Sequence, residues 1–192
     1  MILSPKHLIG LTGNIASGKS TVLKTLADCG ARTFCADEVV QKLYRTQRVR
    51  CQLKKWFGSA EPKEVAKMVF SNVASRRKLE KFLHPLVWDY MEQQLKDCPK
   101  NWAVVEAPLL LEAGWNCRMD LTVLVVGGAR TLSTRLRQRK LSKAEYERRL
   151  AAQWPVEKKI GLADVIIYND GSKRLLTTKA KGLYQALESF YA

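Results

Sequence analysis

The sequence predicts an α/β fold, a doubly wound parallel sheet of five strands. Three observations carry that prediction. Short apolar runs recur at residues 8–11, 31–34, 102–106, 121–126 and 165–168, each suited to a strand buried on both faces. Stretches with helical spacing of apolar residues separate them, an alternation that leads to parallel strands. Gly13, Asp37, Glu106 and Asn169 then fall at or just beyond the ends of four of these strands. Ligands of such sheets bind at that edge. With 192 residues, 46% of them hydrophobic, the chain can bury a full core as one domain spanning 1–192.

Beyond the first strand runs Gly13-Asn14-Ile15-Ala16-Ser17-Gly18-Lys19-Ser20, followed by Thr21. This fits G-x-x-x-x-G-K-[ST], the phosphate-cradling P-loop. Val22, Leu23 and Leu26 then mark a helix over 21–29, with Gly30 placed to end it. Strand, glycine loop and helix are the setting the motif requires. Glycines let backbone N–H groups curl around an anion, and the helix start adds partial positive charge. Lys19 would reach the β- and γ-phosphates and the Ser20 hydroxyl would hold Mg²⁺. ATP with Mg²⁺ is the expected ligand of residues 13–21.

After the second strand comes Cys35-Ala36-Asp37 and a helix from about Glu38, carrying Val39, Val40, Leu43 and Tyr44. Asp37 is either a site carboxylate or that helix's N-cap. Six basic residues and no acidic one lie between Lys42 and Lys55, a bias that points to an anion nearby. Residues 61–95 read as helical with a break near His84-Pro85, within a helical insertion of about 48–98. The third strand ends in Glu106, where P-loop enzymes hold a Mg²⁺ or water ligand. Residues 109–112 read as a helical turn broken by Gly114, and a helix with Leu175, Leu176, Leu183 and Leu187 closes the chain.

Lys and Arg number 33 against 18 Asp and Glu, a formal charge of +15, so the partner is polyanionic. Ten basic and three acidic residues lie between Arg130 and Lys159, in a segment expected to be a lid of about 130–160. Arg135, Arg139 and Arg149 suit a segment that brings positive charge over the γ-phosphate and keeps water out. A nucleic-acid face is the weaker reading, because aromatics are absent until Tyr146 and no recognition-module signature occurs. The five cysteines form no C-x-x-C pair, which fits reduced thiols in a cytoplasm. Pro5, Lys6 and His7 interrupt the apolar start, so no signal peptide is expected, and no apolar run is long enough to span a bilayer.

At this point the chain resembles the dephospho-coenzyme A kinase family, over about residues 8–171. The resemblance rests on Gly10-Leu11-Thr12-Gly13 with the P-loop, Ala36-Asp37, Phe57-Gly58, Val69-Phe70 and His84-Pro85. It continues through Pro108-Leu109-Leu110-Leu111-Glu112, Arg149-Leu150-Ala151-Ala152-Gln153, Ala163-Asp164-Val165-Ile166, Asn169 and Gly171-Ser172. It implies a P-loop kinase sheet, a helical substrate-binding part and a lid. The implied reaction transfers the ATP γ-phosphoryl group to the ribose 3′-hydroxyl of dephospho-coenzyme A, the last step of coenzyme A synthesis. Two polyphosphate ligands account for two basic segments.

The family usually reads Asp-Ala-Asp where this chain has Cys35-Ala36-Asp37. With a reference pKa of about 8.5, a thiol beside substrate phosphates is a poor base. That leaves Asp37 or Glu106 to take the proton. The family's Asp-Gly turn and following Arg after Phe57-Gly58 are missing; Glu106 replaces an Asp, Asn14 a Gly, and Lys140 an Asp. The expected catalytic residues are Lys19, Asp37, Glu106 and Arg139. Arg139 and Asn169 join the P-loop on the nucleotide side, where Asn169 either edges the adenine pocket or belongs to a turn. Cys35, Asp37, His84, Leu109, Glu112 and Arg149 stand on the acceptor side. There His84 is structural or substrate-facing, and Glu112 is a site residue or a turn carboxylate. Other readings are a kinase of another small acceptor, such as a nucleoside monophosphate, and a basic ATP-binding protein with impaired catalysis.

Overall fold

The structure, a computed structural model, describes residues 7–96, 101–128, 147 and 150–191. Its strands are β1 (His7–Thr12), β2 (Arg32–Cys35), β3 (Trp102–Glu106), β4 (Leu121–Gly127) and β5 (Val165–Asn169). They form one parallel sheet in the order β2-β3-β1-β4-β5. Leu11 of β1 stands opposite Glu106 on one side and Val123 on the other. The strand order reverses at β1, so the crevice beyond its carboxyl end is where a ligand is expected. By its contacts the chain divides into two compact units, Met1–Phe34 with Lys96–Ala192, and Cys35–Leu95.

In the first unit, helices α1 (Lys19–Asp28) and α7 (Lys173–Tyr191) cover the sheet. Val22 and Leu26 of α1 and Leu176, Ala180 and Leu187 of α7 pack with Ile9, Leu11, Val104, Val123 and Val125. Each aliphatic side chain larger than alanine so buried contributes roughly 1.5–3 kcal/mol. The Trp102 indole N–H donates to Glu188 Oε1 at 3.0 Å, fastening α7 to β3. At the opposite edge from the crevice, Asp120 Oδ2 accepts the Leu8 N–H and Asp164 Oδ2 accepts the Thr122 N–H, both at 2.7 Å. The acidic residue of Ala163-Asp164-Val165 thus satisfies an amide at the start of a neighbouring strand. Residues 108–114 form turns rather than a helix, and a 3₁₀ turn, Trp115–Arg118, follows Gly114. A short helix α6 (Val156–Ile160) occupies the end of the segment expected as a lid.

The second unit is helical: α2 (Ala36–Leu43), α3 (Gln47–Phe57), α4 (Pro62–Ser71) and α5 (Val73–Leu95). Two expectations are corrected here. Cys35, not Asp37, is the N-cap of α2; Asp37 lies in the first turn, where a carboxylate favours the helix dipole. The break between 61 and 95 falls at Asn72, not at His84-Pro85. Asn72 is extended, and its Oδ1 accepts the Ser75 N–H at 3.0 Å, which caps α5. α5 then runs unbroken through Pro85. Proline removes one backbone bond, but Leu79, Leu83, Leu86, Val87, Met91 and Leu95 are buried along the helix and keep both halves in place. Trp56 joins α3 to α5, edge-on to Phe82 with ring centroids 5.3 Å apart.

Candidate active site

The loop from β1 to α1 is shaped by two glycines. Gly13 has φ 148° and Gly18 φ 110°. A Cβ at Gly13 would collide with the Val125 carbonyl, and one at Gly18 with the Asn169 amide nitrogen. Only glycine meets both demands. α1 begins at Lys19 with no side chain capping it and no acid in its first turn. The positive dipole end of α1 therefore meets the loop with no acidic side chain of its own first turn to offset it, which favours an anion there. Lys19 is 8% exposed, and its Nζ donates to the carbonyls of Gly13 at 2.8 Å and Asn14 at 3.1 Å. Ser20 beside it is exposed.

Two distant amide side chains hold the crest of this loop. Gln153 Oε1 accepts the Ile15 N–H at 3.0 Å, and Asn169 Nδ2 donates to the Ser17 carbonyl at 2.7 Å. Asn169 is the last residue of β5 and 2% exposed, so it sits in the sheet rather than in a turn. Gln153 in turn donates through Nε2 to the Pro108 carbonyl at 3.2 Å.

The Pro108 carbonyl also receives Lys159 Nζ at 3.3 Å, and Lys159 pairs with Glu112 Oε1 at 2.9 Å. Glu112 Oε1 accepts the Trp154 N–H as well, at 2.7 Å. Lys159 is fully buried, which corrects its reading as a lid charge. The Trp154 N–H and the Pro108 carbonyl offset part of the lost hydration of the two ions, while Glu112 Oε2 is buried with no hydrogen-bond partner among the described residues. Glu112 thereby holds the turn after β3 against α6.

Glu106 ends β3 and is 6% exposed. The next residue, Ala107, donates its N–H to the Leu11 carbonyl at 3.1 Å, keeping this strand end beside the root of the P-loop. Leu109 lies half-buried in the following turn. The first unit thus brings Gly13–Thr21, Glu106, Leu109, Glu112 and Asn169 onto the carboxyl side of the sheet. Among the described residues no group of three or more His, Cys, Asp or Glu converges to hold a metal. Mg²⁺ that arrives with phosphates needs only one or two protein oxygens. The Ser20 hydroxyl and the Glu106 carboxylate are of that hard-oxygen type.

Cys35 ends β2, and Asp37 and His84 belong to α2 and α5 of the helical unit. Burial pushes the His84 imidazole pKa down, and Glu80 one turn earlier pulls it up by less. Arg139 and Arg149, with Arg135, lie outside the described residues. From the sequence Gln153 had no site role, and Lys159 only that of one charge among the ten of the expected lid. An uncharged polar residue at the end of a basic stretch was a usable signal for Gln153. Lys159 offered none, since its partner lies 47 positions back, at Glu112.

Comparison with known proteins agrees with this geometry. The family model described as dephospho-CoA kinase matches residues 7–174. A dephospho-CoA kinase of Aquifex aeolicus is 32% identical over 189 residues, covering 93% of this chain and 96% of its own length. Another, from Chlorobium chlorochromatii, is 35% identical over 197 residues, 94% of this chain and 93% of its own. A crystal structure from Thermus thermophilus is similar with a TM-score of 0.85 at 30% identity, over 99% of this chain and 100% of that one. No helix among the described residues is long and apolar enough to cross a membrane.

Proposed function

Because the chain belongs to the dephospho-CoA kinase family, we infer that it transfers the γ-phosphoryl group of ATP to the ribose 3′-hydroxyl of dephospho-coenzyme A. The observation that carries this reading is the family match through residues 7–174, with a P-loop at the point where the sheet reverses. In the step, the acceptor oxygen bonds to the γ-phosphorus as the bond to the β,γ-bridging oxygen breaks, leaving ADP. Lys19 and the uncapped start of α1 oppose the charge of the transferring group. Ser20 and Glu106 are the residues that would hold Mg²⁺, which when bound neutralises phosphate charge. Asp37 takes the acceptor proton, because the Cys35 thiol is poorly suited to it. Loose phosphoryl transfer needs positioning more than a strong base, so one carboxylate suffices.

Arg139 and Arg149 supply further positive charge to the phosphates. His84, Leu109 and Glu112 are the further residues we assign to acceptor binding. The location we assign is the cytoplasm, in keeping with cysteines that form no paired motif. An assay coupled to ADP release, offering dephospho-coenzyme A, AMP and adenosine in parallel, tests the reading. Turnover of dephospho-coenzyme A far above the others is expected; turnover of another acceptor alone overturns it.

A further inference from the structure

We propose that Gln153 and Asn169 form an amide clamp on the P-loop, two positioning residues that hold Ala16 left-handed so that the loop keeps its ATP-binding shape. The proposal rests on residues 13–21 being the ATP site. Ala16 has φ 60°, the only positive φ at a non-glycine among the described residues. A side chain disfavours that conformation, so surrounding contacts must impose it. Besides the Ser17 N–H bond to the Asn14 carbonyl at 3.1 Å, which closes the turn, a distant side chain holds each flank. Gln153 fixes the peptide before Ala16 by accepting the Ile15 N–H at 3.0 Å. Asn169 fixes the stretch after it by donating to the Ser17 carbonyl at 2.7 Å.

Each clamp residue is itself held. Gln153 Nε2 is tied to the Pro108 carbonyl, and Asn169 is 2% exposed at the end of β5. The chemistry of the pair suits the task. One offers an acceptor to an N–H, the other a donor to a carbonyl, and both are neutral. A carboxylate in either place would repel ATP phosphates, and a lysine would compete with Lys19 for them. Amides set the backbone without altering the charge of the site.

The test compares Gln153→Met, which keeps the length and drops the acceptor, with the same change combined with Ala16→Gly. Gln153→Met is expected to raise the Kd and KM for ATP about fivefold, the effect of one hydrogen bond, and the KM for dephospho-coenzyme A by less than about twofold. Glycine accepts a positive φ freely, so the double variant should regain part of the lost ATP affinity. Wild-type ATP binding by Gln153→Met, or no recovery in the double variant, overturns the clamp. Should Gln153→Met fail to fold, amide exchange of Ile15 in the unaltered protein decides. A protected Ile15 N–H supports the clamp, and exchange as fast as an open loop overturns it. Lys19→Ala separates the two levels. If it keeps ATP affinity, the ATP-site reading fails; if it loses affinity while Gln153→Met does not, only the clamp fails.

Discussion

Lys19 is the residue we place at the centre of the proposed donor half of the site. Its Nζ bonds two carbonyls of its own loop, and its loss is expected to weaken the reaction more than the fold. Lys19→Ala should lower kcat/KM by about a hundredfold or more at an unchanged melting temperature. Near-normal turnover would mean that the phosphates lie elsewhere. Cys35 is the complementary case on the proposed acceptor side. Cys35→Asp should preserve kcat or raise it by up to about tenfold, measured with saturating dephospho-coenzyme A. A complete loss would assign the proton to a site built around the thiol. His84 carries a pH signature. Its folded pKa is depressed below the usual 6.5 by burial. The unfolded chain therefore binds this proton first as pH falls. Stability should decline below about pH 6.5 and level off once the folded pKa is passed. Denaturant titrations across that range should show a shallower decline in His84→Gln, and identical profiles would remove His84 as a cause.

At the scale of elements, the strands and α1 were legible because their signals are local and repeated. Apolar runs of strand length and the glycine motif each specify their own backbone. The helical unit was less legible. Both its helices from 62 to 95 have continuous apolar spacing, and the proline at 85 looked like the stronger breaker. Burial on both sides of Pro85 overrode it, and a single side-chain cap at Asn72 set the boundary. Asn72→Ala should therefore cost about 1 kcal/mol by urea titration. A change within error would mean that packing alone places the break.

At the scale of the molecule, the buried Lys159–Glu112 pair joins α6 to the turn after β3. Lys159→Met leaves the Glu112 carboxylate buried without its counter-ion. We expect a loss of about 3 kcal/mol or more, most of it recovered in Glu112→Leu with Lys159→Met. Chemical denaturation of the three variants checks the pattern; an additive double variant would show that the two charges act independently.

The sequence by itself determined the fold class, the P-loop and the strand-end carboxylate Glu106, all features written in consecutive residues or in a short period. Tertiary structure alone decided what holds the loop in shape. Gln153 meets Ile15 across 138 positions and Asn169 meets Ser17 across 152. No propensity or spacing links residues so far apart. Only the folded sheet, with β5 and the stretch ahead of α6 brought against the P-loop, turns two ordinary amides into the anchors of a phosphate site. Burial likewise made Lys159 a structural ion, because the charge of a side chain is read from the chain and its solvation only from the fold.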